Sequence, residues 1–450
     1  MDSKSNKSSI SDYCFNPNDS QAFIGINYGQ VADNLPPPSS TAKLLQSTSI
    51  QKVRLYGSDP AIIKALANTG IGIVIGTANG DIPGLASDPN FAKSWINTNV
   101  LPFYPASNII LITVGNEVMT SNDQNLMNKL LPAMQNVQNT LNDESLGGKI
   151  KVSTIHSMGV LKQSEPPSSG SFDPSYGDLM KGLLEFNSAN GSPFAINPYP
   201  YYAYRSDTTP ETLAFCLFQP NAGRMDGNTK IKYMNMFDAQ VDAVYSALNS
   251  MGFKNVEIVV AETGWPYKGD DNEVGPSIDN AKAYNGNLIA HLRSLVGTPL
   301  MPGESVDTYL FAFYDEDLIK PGPGSERSSG LFKTGVTMVY DVGLSTSSQI
   351  QAPAAAPQPP PAAAAATTTT SNNNSSTSTS TGTGTRVDAV YSALNSMGFK
   401  NVEIVVAETG WPFKGDDNDV GPSIENAKAY NGNLIAHLRS MVGTPLMPGK

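Results

Sequence analysis

Three glutamates in this chain close apolar runs. Glu117 ends LITVGNE, Glu262 ends IVVAE and Glu316 ends LFAFYDE. Several carboxylates at the ends of buried strands repel one another and lose hydration, a cost usually kept for catalysis. Two facing carboxylates are what glycoside hydrolysis needs. One, protonated, donates to the leaving oxygen, while the other attacks the anomeric carbon or activates a water. A single strand-end Glu also has ordinary readings, as a helix cap or in a surface ion pair. Three on separate runs, beside Asn, Trp-Pro or Tyr, favour the chemical one. Aromatic residues stand close by in sequence. INPYPYYAY supplies Tyr199, Tyr201, Tyr202 and Tyr204, and Trp265 follows Glu262. Such rings pack on the apolar faces of sugars while phenol hydroxyls reach sugar oxygens. Strand alternation would turn about half of these tyrosines into the core instead.

The elements that must position these residues recur along the chain. Strand-like runs begin at Phe23, Lys52, Ile71, Asn108, Lys149, Pro193, Val256 and Asp307, the sixth reading as PFAINPYPYYAY and the eighth as DTYLFAFYDE. Several are continuously apolar, the mark of parallel strands buried on both faces. Segments with apolar residues at three- and four-residue spacing lie between them: DPAIIKALANTG, QNLMNKLLPAMQNVQNTL, YMNMFDAQVDAVYSALNSMG and SIDNAKAYNGNLIAHLRSLVG. Asp59 before Pro60 reads as an N-cap with proline at the first helical position. Eight strands alternating with helices predict a (β/α)8 TIM barrel over residues 23–345. An open doubly wound sheet is the alternative, but it calls for a GxGxxG turn that the sequence lacks.

Bulk properties narrow the partners. The chain has 450 residues, a net charge of -11 and only 15% charged residues. An acidic chain without Lys/Arg-rich runs argues against nucleic acid as a partner. No apolar run is long enough to span a membrane. Two cysteines, Cys14 and Cys216, make no CxxC pair, so a zinc site is not expected. Their pairing stays open, with two free thiols favoured. Residues 1–22 hold no apolar stretch of the roughly 7–15 residues that a secretory signal needs, and read as a disordered segment. Residues 346–386, rich in Pro, Ala, Ser and Thr, read as a disordered linker.

The motifs INYGQVADNLPPP, KVRLYG, VGNEV, NPYPYYAY, VVAETGWP and FAFYDED…KPGPGSERSSGLF occur in this order between Phe23 and Leu344. Together they resemble the motif series of the plant glucan endo-1,3-β-glucosidases, glycoside hydrolase family 17. The resemblance implies endo-hydrolysis of β-1,3-glucan by a retaining double displacement, without metal or organic cofactor, in a secreted or cell-wall setting and as a monomer. By position it implies that Glu117 is the general acid/base and Glu262 the nucleophile. Asn116 would bind the 2-hydroxyl of the reacting sugar, and Tyr199 would hold the nucleophile. Glu316, Lys320 and Glu326 would tune the two carboxylates, with a cation at Lys320 favouring the charged form of its neighbour. Tyr28, Tyr201 and Trp265 would contact substrate. Ile319 looks like an extra residue in this motif, which leaves the orientation of Lys320 open. Other readings are a glucan transglycosylase or mixed-linkage glucanase of the same clan, and a glucan-binding wall protein that has lost turnover. Both Glu117 and Glu262 are present, which counts against the last.

Residues 387–449 repeat 241–303 at a constant offset of 146, with four conservative differences at Phe413, Asp419, Glu425 and Met441. The copy carries Glu408 in the context of Glu262, but no counterpart of Glu117, Tyr199 or Glu316. One strand with its flanking helices cannot close a barrel. The expectation is a partial duplicated fragment, not an independent catalytic domain, with Glu408 silent.

Overall fold

The computed structural model describes residues 23–304, 306–319 and 322–346, and scattered positions from 409 to 448. Residues 1–22, Cys14, Lys320, nearly all of the linker and Glu408 lie outside the described residues. The chain divides into two units, Met1–Ala354 and Ala355–Lys450.

The first unit is a closed parallel barrel. Its strands are β1 (Ile24–Tyr28), β2 (Lys52–Leu55), β3 (Gly72–Thr77), β4 (Ile109–Asn116), β5 (Lys151–Ser157), β6 (Phe194–Asn197), β7 (Ile258–Thr263) and β8 (Thr308–Leu310). Each strand pairs with its sequence neighbours, and β1 closes on β8 through Ile24, Gly25 and Ile26 opposite Thr308, Tyr309 and Leu310. The eight runs expected from the sequence are these eight strands. All residues of β1, β3 and β7 are buried, because one face meets the barrel interior and the other the helices. In β3, Ile73 and Ile75 join the large helix-side core. Val74 between them packs with Leu111, Val259 and Tyr309 in a separate cluster.

Helices follow the amphipathic segments at Pro60–Ala65, Gln124–Asp143, Met236–Ser250 and Ile278–Arg293. The Asp59 carboxylate accepts from the amides of Ala61 at 2.7 Å and Ile62 at 3.2 Å, with Pro60 at the first helical position. Short two-stranded hairpins, Leu161–Gln163 with Ser171–Phe172 and Arg224–Met225 with Lys232–Tyr233, decorate the connections around β6. Strands this short carry no readable periodicity.

Two strands end earlier than the sequence suggests. The run from Pro193 stops at Asn197, and Pro200–Ser206 is a helix. Pro198 and Pro200 cannot donate to a ladder, and proline suits a first helical turn. The tyrosines therefore sort by helical spacing: Tyr201 and Tyr204 are buried and Tyr202 is exposed. The run from Asp307 stops at Leu310. Beyond it the chain is a loop, tied back by Phe311 N to Thr263 O at 2.7 Å and Phe313 N to Asn27 O at 2.8 Å.

In the second unit, Thr409 Oγ1 and Tyr430 OH are hydrogen-bonded at 2.5 Å, as are Thr263 and Tyr284 in the first copy. Gly443–Thr444 pairs with Met447–Pro448, as Gly297–Thr298 pairs with Met301–Pro302.

His156 on β5 lies flat against Phe194, with ring centroids 4.6 Å apart. Burial pushes its imidazole from 6.5 down to about 3. The unfolded chain binds a proton here below pH 6.5 that the folded chain refuses, so this stabilisation is present above 6.5 and is lost as pH falls towards 3. The limiting slope is about 1.4 kcal/mol per pH unit. Denaturant unfolding of His156→Gln between pH 6.5 and 4.5 should show a shallower loss of stability than the parent. Parallel curves would show that His156 is not the group responsible.

Candidate active site

The carboxyl ends of the strands open into a cleft of about 820 Å³ that both Glu117 and Glu262 line. Each glutamate sits at an irregularity of its own strand. On β4, Thr113 pairs with Ser153 and the next pair is Asn116 with Ile155, so β4 carries one extra residue. On β7, Val260 pairs with Thr308 and the next pair is Thr263 with Leu310, again one extra. Such bulges re-aim a side chain at the rim of a barrel. Glu117 itself is held at φ 54, and Gly115 two residues earlier at φ +71. A Cβ on Gly115 would also press within 2.8 Å of Asn79 and Ile82. The Asn79 amide repairs the interrupted ladder. Its Oδ1 accepts from Asn116 N at 2.8 Å, and its Nδ2 donates to Asn116 O at 3.0 Å.

Arg54 on β2 organises the cleft floor. Its guanidinium is buried and donates to Glu262 Oε1 at 2.7 Å, Ala261 O at 3.1 Å, Asn27 Oδ1 at 3.2 Å and Asn116 Oδ1 at 2.8 Å. It also stacks over the Tyr56 ring at 4.4 Å. Tyr199 OH donates to the other Glu262 oxygen at 2.9 Å. Burial, reinforced by the Glu262 charge, pushes the phenols of Tyr199 and Tyr56 well above their ordinary value. Tyr199 therefore stays a neutral donor. With a donor on each oxygen, the Glu262 carboxylate is fixed in place.

Glu117 is placed differently. It accepts one hydrogen bond, from Asn197 Nδ2 at 2.8 Å. Burial pushes its carboxyl above the usual range and the Glu262 charge adds to this, while Asn197 works in the opposite direction. One carboxylate clamped by cationic and phenolic donors, and a neighbour with raised proton affinity, form the pair that acid-assisted nucleophilic displacement requires. Glu316 flanks them from the loop after β8. It accepts from Val31 N at 3.0 Å, and burial and the Glu262 charge push it upward too. A Cβ on Gly29 would lie 2.1 Å from the Glu316 carboxyl, so a side chain there would push that carboxylate out of its present place.

A family model described as glycosyl hydrolases family 17 matches residues 24–344 and again 368–450. The chain belongs to this family. Over 328 residues it is 75% identical to "Glucan endo-1,3-beta-glucosidase 7" of Arabidopsis thaliana, a match covering 73% of this chain and 65% of that protein. Over 330 residues it is 67% identical to "Glucan endo-1,3-beta-D-glucosidase" of Olea europaea, covering 73% of this chain and 72% of the relative. The fold superposes on a beta-1,3-glucanase and allergen of Cryptomeria japonica pollen with a TM-score of 0.68 at 40% identity, covering 72% of this chain and all of that one.

Of the residues singled out in the sequence, Asn116, Glu117, Tyr199, Tyr201, Glu262, Glu316 and Glu326 line this family 17 cleft. Tyr28 and Trp265 do not, which corrects the reading of both as substrate contacts. Trp265 is fully buried behind the wall. Its Nε1 donates to Gly275 O at 2.9 Å and its ring packs on Tyr201, Tyr204 and Tyr284. Glu262, Gly264 and Pro266 line the cleft, so the residues between them face the helices. Tyr28 is turned away in the same manner, because Asn27 takes the inward position beside Arg54. Its hydroxyl meets Thr41 Oγ1 at 3.4 Å beneath Phe313 and Tyr314. Lys320 lies outside the described residues; among those described, the cation on Glu262 is Arg54. Sequence reading passed over Arg54, Asn79 and Asn197. For Arg54 a signal was present, since an arginine inside a doubly buried strand needs an acidic partner.

Two variants test this arrangement. Arg54→Lys keeps the charge but loses the fork that spans Glu262 and Asn116, and should lower kcat by about 100-fold while the protein stays folded. A kcat within threefold of the parent would show that charge alone suffices. Asn197→Ala removes the donor that stabilises the Glu117 carboxylate. The alkaline limb of kcat/KM, where the acid deprotonates, should therefore move to higher pH. An unmoved or lowered limb would break the link between Asn197 and Glu117.

Proposed function

We propose that this chain is a retaining endo-1,3-β-glucanase acting on callose or another wall β-1,3-glucan. The observation that carries the reading is the asymmetry of the carboxyl pair. Glu262 is pinned by Arg54 and Tyr199, and Glu117 has its proton affinity raised. In the first step Glu262 attacks the anomeric carbon and Glu117 gives its proton to the departing glycosidic oxygen, leaving a glucosyl ester on Glu262. In the second, Glu117 takes a proton from a water that attacks the same carbon, and Glu262 leaves. Two inversions return the β configuration.

The other cleft residues have roles in this scheme. Arg54 offers only donors, so the Asn116 oxygen must face it, which leaves the Asn116 Nδ2 end for the 2-hydroxyl of the reacting sugar. Tyr199 holds the nucleophile, Glu316 and Glu326 shape the field along the cleft, and Tyr202 offers exposed ring surface with the buried Tyr201 packed behind it. No cofactor takes part in these steps. A cleft of about 820 Å³ at the barrel mouth suits cleavage of a polymer that it meets at the wall, outside the cell. Among the described residues no helix is long and apolar enough to cross a membrane. Transglycosylation would use the same ester, with a sugar hydroxyl in place of water.

A reducing-end assay on laminarin tests the assignment. Glu262→Gln should lower kcat on the order of 10³-fold or more, whereas Glu408→Gln and truncation after Thr346 should leave it within twofold. Equal activity of the parent and Glu262→Gln would overturn the nucleophile. A large loss on truncation would give the second copy a part in the reaction.

A further inference from the structure

β3 stops at Thr77, and the chain turns away through Asn79–Asp81 into the helix Ile82–Ser87. Its last pair with β4 is Thr77 opposite Val114, so Gly115, Asn116 and Glu117 run on without a strand beside them on that side. Their amides are met in three different ways. Gly115 N donates to Thr77 Oγ1 at 3.3 Å, Asn116 N to Asn79 Oδ1 at 2.8 Å and Glu117 N to Ile155 O at 2.9 Å. Asn79 Nδ2 also donates to Asn116 O at 3.0 Å. One side-chain amide thus offers Asn116 the donor and the acceptor that a residue of a neighbouring strand would offer.

These two bonds hold the peptide units on either side of Asn116, and the second unit leads into Glu117. Glu117 is left-handed at φ 54, a conformation that a residue with a Cβ keeps only where its surroundings over-determine it. On its far side Thr120 holds Glu117 O, through N at 3.2 Å and Oγ1 at 3.1 Å. Clamped at both ends, this backbone delivers the carboxyl to Asn197 Nδ2 at 2.8 Å. Asn79 itself does not line the cleft, so any effect it has on the chemistry runs through the backbone it holds.

We propose that Asn79 is the positioning residue of Glu117, fixing the backbone of the acid so that its proton reaches the departing oxygen. The proposal rests on the glucanase reading above and deepens it. Asn79→Ala releases both polar groups of the Asn116 backbone and lets Glu117 relax to an ordinary conformation, while Glu262 keeps Arg54 and Tyr199.

The test separates acid assistance from the rest of the reaction by leaving group. A glucosyl leaving group needs the proton from Glu117, whereas a dinitrophenolate departs without one. On laminarin, Asn79→Ala should lower kcat/KM about 100-fold. On a dinitrophenyl β-1,3-gluco-oligoside it should keep kcat/KM within about threefold of the parent, since that ratio covers the first displacement only. Equal losses on the two substrates, or none on laminarin, would overturn the proposal. Asn79→Asp keeps an acceptor for Asn116 N but sets a second oxygen against Asn116 O, and should show the same split in smaller measure; a uniform loss in this variant counts against the idea as well. A crystal structure of Asn79→Ala gives a readout that needs no turnover. Glu117 should leave the left-handed region and lose its bond to Asn197, and an unmoved Glu117 would sink the assignment. A parent inactive on both substrates would instead remove the glucanase reading, while the crystal structure still decides the role of Asn79.

Discussion

The buried pair of Arg54 and Glu262 is the constraint around which the barrel mouth is arranged. Taking both charges out of water is expensive, and their attraction offsets this only when geometry is good and the remaining donors are used. Arg54 spreads the bonds of its two terminal nitrogens over β1, β4 and β7, through Asn27, Asn116, Ala261 and Glu262, while its buried Nε stays without a partner among the described residues. The same bonds fix the Glu262 carboxylate and orient the Asn116 amide beside Glu117. Removing one partner would strand the other, at about 3–5 kcal/mol. Site geometry and fold stability are thus coupled through one guanidinium.

The strand irregularities follow from that coupling. A regular parallel barrel points alternate side chains inward at fixed levels, which packs a core well but leaves little freedom to aim two carboxylates. One extra residue in β4 and one in β7 supply that freedom. The lost ladder bonds are replaced locally: the Asn79 amide serves Asn116, and Glu117 N donates to Ile155 O at 2.9 Å. The left-handed backbone at Glu117 costs about 1–2 kcal/mol by comparison with ordinary residues, held in place by the surrounding packing.

Much of this was legible in sequence, and the failures have physical causes. Eight strand-like runs, several of them continuously apolar, announced eight strands, since burial on both faces leaves its mark along a run. Strand ends were harder to read. Pro198 and Pro200 stop β6 and start a helix, so the tyrosines beyond obey a period of 3.6 and not 2. Trp265 and Tyr28 were misplaced by proximity. Each is a sequence neighbour of an inward residue, and neighbours on a strand face opposite ways. Arg54 escaped notice because a single charge in KVRLYG looks like a surface residue until the run around it is seen to be buried on both sides. Asn79 and Asn197 carry no local signal at all, because their work depends on which backbone or carboxyl group the barrel brings to them.

The repeated slice makes the same point from the other side. Residues 387–449 preserve the sequence around β7 almost unchanged, with Glu408 in the place of Glu262. What fixes the Glu262 carboxylate in the cleft is not in that sequence. Its ion-pair partner comes from β2, its phenol donor from the chain after β6, and the neighbouring carboxyl of Glu117 from the residue after β4. The copied segment carries the carboxylate in its sequence but no counterpart of Arg54, Tyr199 or Glu117. For a carboxylate to act as a nucleophile at neutral pH it needs placement within reach of the reacting carbon, oriented lone pairs and an acid on the opposite side of the bond. Each of these is a long-range property of the closed barrel. A match to this segment therefore marks a carboxylate, and the groups that fix such a carboxylate come from elsewhere in the closed barrel.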